Sequence, residues 1–143
     1  MSLSVSIEPS TISERENYKL LIGSVIPRPI AFVTSMSENG VLNGAPFSYF
    51  NIVSSNPPMI SLSIQRKGGQ LKDTARNIAQ KGQFVVHVVD EHNVGQINMT
   101  AASLPSEQSE IQLAGLTAID STKYLFQELK KQRFEWSAYW SIP

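Results

Sequence analysis

The amino-acid sequence predicts a small β-barrel decorated by a few short helices. Three observations point there: several short β-prone runs, turn-rich loops between them, and only two or three segments with helical spacing. A doubly wound sheet would need a helix after nearly every strand, which this chain does not offer. With 143 residues, 41% of them hydrophobic, the chain can bury one core but not two comfortable ones, so a single domain is expected.

The first strand is the β-branched and aromatic run from Ile30 to Met36. It ends at the turn pair Asn39-Gly40, after which Val41 and Leu42 begin a returning strand, giving a hairpin. Pro46 is expected to stop that second strand, and Asn56-Pro57-Pro58 marks the next loop. Met59 to Ile64 alternates as a half-buried strand does, and Gly68-Gly69 breaks the chain after it. From Asp73 to Gln80 the apolar spacing turns helical, with Asp73 as the expected N-cap and Gly82 just past the end. Phe84 to Val89 reads as a strand and Asn93 to Ala102 as a second short helix. A polar loop from Pro105 to Ser109 then leads to a brief apolar stretch closed by Gly115.

Composition removes several functions. Lys plus Arg and Asp plus Glu stand at 12 each, so no basic excess marks a nucleic-acid or anionic-membrane partner. No run approaches the roughly 20 apolar residues that span a bilayer, and Glu8 and Glu14 occupy the place of a basic export signal; a cytoplasmic location is expected. The absence of cysteine excludes disulfides, thiolate metal sites and cysteine nucleophiles. His87 and His92 lack the i, i+4 helical spacing of a metalloprotease pair, and no Gly-x-Ser-x-Gly elbow is present, so neither a metal site nor a serine hydrolase is expected.

Two stretches suit a ligand. Between Gln65 and Asn77, two glycines, several cations and a helix start combine, and such a segment can hold phosphate through backbone N–H groups, the helix N-terminus and Arg66, Lys67 or Lys72. The same composition also fits a plain solvated turn. Thr34-Ser35 and Asn43-Gly44-Ala45-Pro46-Phe47-Ser48 gather hydroxyls, small residues and main-chain donors that suit the edge of a flat heteroaromatic ring, or an ordinary hairpin with polar ends.

Pro27-Arg28-Pro29-Ile30-Ala31-Phe32-Val33-Thr34-Ser35 followed by Asn43-Gly44-Ala45-Pro46-Phe47-Ser48-Tyr49-Phe50 resembles the opening motifs of the flavin reductase-like, flavoredoxin-type family. The order continues through Asn56-Pro57-Pro58, the Ser61 to Gln65 strand, Lys72-Asp73-Thr74 with Asn77-Ile78, and Phe84-Val85-Val86-His87. The resemblance implies a Greek-key split barrel that binds FMN near the interface of a homodimer, with electrons supplied by NADH or NADPH. It implies that Thr34, Ser35, Ala45, Pro46, Phe47 and Ser48 line the ring, with Ser63, Gln65 and His87 as neighbours. Arg66, Lys72, Asp73 and Thr74 would hold the ribityl phosphate. No catalytic acid or base is implied, because the flavin itself carries the redox chemistry. A pyridoxamine-phosphate-oxidase-like relative would share the same barrel, since fold does not fix function.

The resemblance falters after Thr117. Read in a shifted frame with suitable codons, the segment from Lys123 spells a string similar to further family strands. The expected organisation is a flavin reductase-like domain at 1–122 and an atypical segment, a frameshift product, at 123–143. A frameshift there would leave the barrel short of its C-terminal strands, and the alternative to an FMN-binding, NAD(P)H-dependent oxidoreductase is then a truncated, inactive module that only folds or dimerises. The competing expectation is an amphipathic helix carrying Leu125, Leu129 and Gln132 on one face.

Overall fold

The computed structural model describes residues 4–120 and, beyond them, the backbone of two strands at 127–129 and 135–139. A 3-10 turn (Pro9–Thr11) precedes helix α1 (Glu14–Ser24). Strands β1 (Ala31–Met36) and β2 (Leu42–Phe47) form the expected hairpin, with Gly40 in its turn at φ 80°, a left-handed conformation that glycine adopts without a Cβ clash. Strands β3 (Phe50–Ser55) and β4 (Pro58–Leu62) make a second hairpin. Helix α2 (Asp73–Lys81), strand β5 (Gln83–Val88) and helices α3 (Val94–Met99) and α4 (Glu110–Leu113) follow, then strands β6 (Ala118–Asp120), β7 (Gln127–Leu129) and β8 (Glu135–Tyr139).

The main sheet is antiparallel with strand order β2-β1-β5-β8, and two-stranded sheets β3-β4 and β6-β7 complete the β structure described. β1 is central and buried on both faces. Ala31 and Val33 point into a cluster with Phe47, Ile78, Phe84 and Val86 under α2, while Phe32 joins Leu42, Ile97 and Ile111 under α3 and α4. Alternation on a strand delivers successive side chains to opposite faces, and so a single strand seeds two cores.

Three expectations are corrected. Pro46 does not end the second strand: β2 runs on to Phe47 because it is the sheet's edge, where a missing N–H breaks no ladder on the outer side. Lys72, not Asp73, occupies the N-cap of α2. Asp73 is the first helical residue, and its carboxylate instead bonds Arg76 and the Ser106 hydroxyl. The fold is mainly β with few helices, as expected; among the described residues α1 and α4 join α2 and α3. The segment at 123–143 contains β7 and also β8, which pairs antiparallel with β5; the Trp and Tyr types within Glu135–Tyr139 favour extended backbone. Leu129 lies in β7, not in a helix, while Leu125 and Gln132 fall outside the described residues. Among the described residues no helix is long and apolar enough to cross a membrane.

Candidate functional site

The end of β2 carries the chain out of the core at Pro46 to Tyr49, beside the residues that follow β4. There a cleft of about 120 Å³ is lined by Pro46, Phe47, Ser48, Tyr49, Ser63, Gln65, Lys72 and, from α1, Tyr18. A larger hollow of about 710 Å³, walled by the first turns of α1, shares Tyr18 and Gln65 with it. The cleft alone is smaller than the roughly 300–1,000 Å³ usual for a cofactor-sized ligand, and the neighbouring hollow shares two of its walls.

The chemistry of the lining is mixed in a useful way. Lys72 sits at the N-cap of α2 with its ammonium 6.0 Å from the centroid of the Phe47 ring, at the outer reach of a cation–π contact. Helix α2 directs its first-turn N–H groups toward the same end, and the N-cap side chain makes no hydrogen bond to them. Arg66 donates to the Gly69 carbonyl at 3.1 Å, which fixes the Gly68-Gly69 turn beside the cleft. Both glycines have positive φ, 57° and 78°, as that turn requires. The Tyr49 hydroxyl is buried and has no hydrogen-bond partner among the described residues. A buried donor left unsatisfied costs free energy, so a ligand acceptor placed against Tyr49 would be bound with advantage.

The residues expected to hold a ligand divide into two groups. Pro46, Phe47, Ser48, Ser63, Gln65 and Lys72 lie together on the cleft, and Ala45, Arg66 and Asp73 adjoin them in the chain without lining it. Thr34, Ser35 and Thr74 are instead buried, with exposures of 1%, 0% and 2%. Thr34 Oγ1 lies 3.0 Å from His87 Nε2, itself fully buried, and His87 packs at 5.8 Å against the Phe32 ring. Ser35 and Thr74 bond Asn43. Tyr49 and Tyr18 are additions that the sequence reading does not make. Tyr49 directly follows the Ala45 to Ser48 motif and can be read with it, whereas nothing in the sequence places α1, and hence Tyr18, against this cleft.

Residues 22–130 match the family model described as the flavin reductase like domain. The chain belongs to that family. A protein of Halalkalibacterium halodurans is 49% identical over 130 residues, 90% of this chain and 62% of that relative, so the chain spans less than two thirds of that relative's length. The solved structure of nitrilotriacetate monooxygenase component B from Bacillus cereus is 53% identical, covering 97% of this chain and 69% of that one with a TM-score of 0.93. A split barrel domain protein from Shewanella frigidimarina, 20% identical, covers 96% of this chain and 68% of that one with a TM-score of 0.77 and supports the fold alone. The flavin reductase-like chain is therefore a split-barrel protein of a flavin oxidoreductase family, and its cleft draws on both stretches whose composition suits a ligand.

Proposed function

We propose that this flavin reductase-like protein binds FMN in the cleft between the end of β2 and the start of α2, accepts electrons from NADH or NADPH, and works as a homodimer. The observation that carries the reading is the convergence of a small-residue, main-chain-rich wall (Pro46 to Tyr49) and a cationic helix mouth (Lys72) on one cleft. The donor set fits the group. The buried Tyr49 hydroxyl can donate to a ring carbonyl or nitrogen, Ser48 and Ser63 add hydroxyls, and Lys72 with the α2 N–H groups can neutralise a phosphate. When bound, the flavin supplies the redox chemistry. The chain's residues hold and orient it: Phe47 packs beneath the Lys72 ammonium, while Gln65 and Tyr18 border the larger hollow in which a second, nicotinamide-bearing molecule can approach.

The homodimer is supported by apolar surface left uncovered on one protomer. Ile52 and Val53 of β3, Met59 of β4, and Leu21, Val25 and Ile26 in and after α1 are exposed by 46 to 71%. Such surface is costly in water and suits a second copy. That the Bacillus cereus relative is named as a component of a monooxygenase supports hand-over of electrons to a separate acceptor. The test is anaerobic mixing of the purified protein with FMN and then NADH or NADPH. The expected results are quenched flavin fluorescence on binding and loss of blue absorbance on adding the nicotinamide. Reduction no faster than the spontaneous rate would count against the reading.

A further inference from the structure

Glu110 is buried, with 6% of its surface exposed, on a helix of four residues whose packing is otherwise apolar. A carboxylate out of water is strongly disfavoured unless its oxygens are met by donors. Here one oxygen accepts from Asn43 Nδ2 at 2.9 Å and from the Gly44 N–H at 3.4 Å, on the outer edge of β2. A carboxylate oxygen accepts only, so the Asn43 amide must turn its nitrogen to Glu110 and its oxygen inward. That oxygen then accepts from Thr74 Oγ1 at 2.8 Å and Ser35 Oγ at 3.4 Å, and Ser35 Oγ in turn accepts from Asn77 Nδ2 at 3.2 Å. Both Thr74 and Asn77 belong to α2, Asn43 to β2 and Ser35 to β1.

One amide thus ties the first turn of α2 to the strand that leads into the cleft wall. Thr74 lies two residues beyond Lys72, and Asn43 three before Pro46, so a shift of either tie moves the anion-holding mouth relative to the ring-holding wall. We propose that Asn43, oriented by Glu110, is a positioning residue that registers these two halves of the cleft and so sets the protein's preference for a phosphorylated flavin over an unphosphorylated one. This rests on the flavin reading above. Polar networks that are fully satisfied specify one arrangement, and a single reversed bond propagates through them.

The experiment compares dissociation constants of FMN and riboflavin, measured by fluorescence quenching at mildly alkaline pH, for the wild-type chain, Asn43→Asp and the double variant Asn43→Asp/Glu110→Gln. Asn43→Asp sets two carboxylates against each other and removes the N–H. The wild type should prefer FMN, and Asn43→Asp should lose about tenfold in FMN affinity, as for one hydrogen bond to a charged group, with little change for riboflavin. In the double variant the Gln amide donates to the new Asp, and the preference should return. Equal loss for both flavins, no loss, or a loss the double variant does not repair would overturn the proposal. Should Asn43→Asp fail to fold, Thr74→Val cuts the α2 tie at nearly constant volume. A lowered ratio of FMN to riboflavin affinity in that variant supports the proposal, and an unchanged ratio overturns it. A wild type that binds both flavins equally would overturn the proposal, and one that binds neither would overturn the flavin reading itself.

Discussion

The two antiparallel hairpins of this chain are built alike and buried differently. In β1-β2 the residues from Ala31 to Ser35 are at most 1% exposed, covered by α2 on one face and by α3 and α4 on the other. In β3-β4, Ile52, Val53 and Met59 stand 69%, 59% and 46% exposed, although their types would suit a core. Helix α1 resembles the second hairpin: none of its residues is buried, and it is held by local devices. Ser13 and Glu16 form a reciprocal capping box at its start, and at its end Arg28 donates to the Ile22 and Val25 carbonyls, each at 2.5 Å. The contrast teaches that β1 is enclosed by the chain's own helices, while β3, β4 and α1 leave apolar side chains exposed. The cleft lies between them, with Phe47 from the buried hairpin and Tyr18 from α1 in its walls.

That contrast can be broken by substitution. Phe32→Ala empties a fully buried ring site and should cost about 3–5 kcal/mol in urea unfolding. Gly44→Ala should cost about 1–3 kcal/mol by overpacking. A Cβ at Gly44 would lie 2.8 Å from Phe32 Cζ and closer still to Ile111 Cδ1; the isoleucine end can yield, but the enclosed ring cannot. Ser13→Ala should weaken α1 by about 1 kcal/mol, read as faster hydrogen exchange of its amides with the core amides unchanged. The Ser13 hydroxyl and N–H hold the Glu16 carboxyl below its ordinary value. A depressed carboxyl contributes when ionised, so the cap should be present at neutral pH and weaken as acid protonates Glu16. Ile52→Ser with Val53→Ser should change protomer stability least, within about 0.5 kcal/mol. Under the proposed homodimer, the same pair should shift the sedimentation profile toward monomer.

The buried half of the molecule is legible in the sequence, whereas of the exposed half β4 is read and β3 and α1 are not, for a physical reason. The run from Ile30 to Met36, the Asn39-Gly40 turn and Gly82 closing α2 at φ 68° each carry a strong local signal that tertiary packing reinforces. Strand β3 mixes Asn51, Ser54 and Ser55 with apolar residues and has no covered face to impose alternation, so its period is blurred. Helix α1 leaves one mark, Ser13 three residues before Glu16, which passes unread without an apolar stripe behind it. In the cleft, the motifs around Ser48 and Lys72 are visible as chemistry. The division of Thr34, Ser35 and Thr74 into a buried network, and the part of Glu110 in it, depends on distances across the fold that spacing along the chain does not report.

The most direct test of the account is a titration of the isotope-labelled protein with FMN, followed by amide chemical shifts. Saturable shifts centred on Phe47, Ser48, Tyr49, Gln65 and the first turn of α2 are predicted, with those of the α2 turn much smaller when riboflavin replaces FMN. Shifts centred elsewhere, on α3 for instance, or none at all at concentrations that saturate flavin reductases, would contradict it.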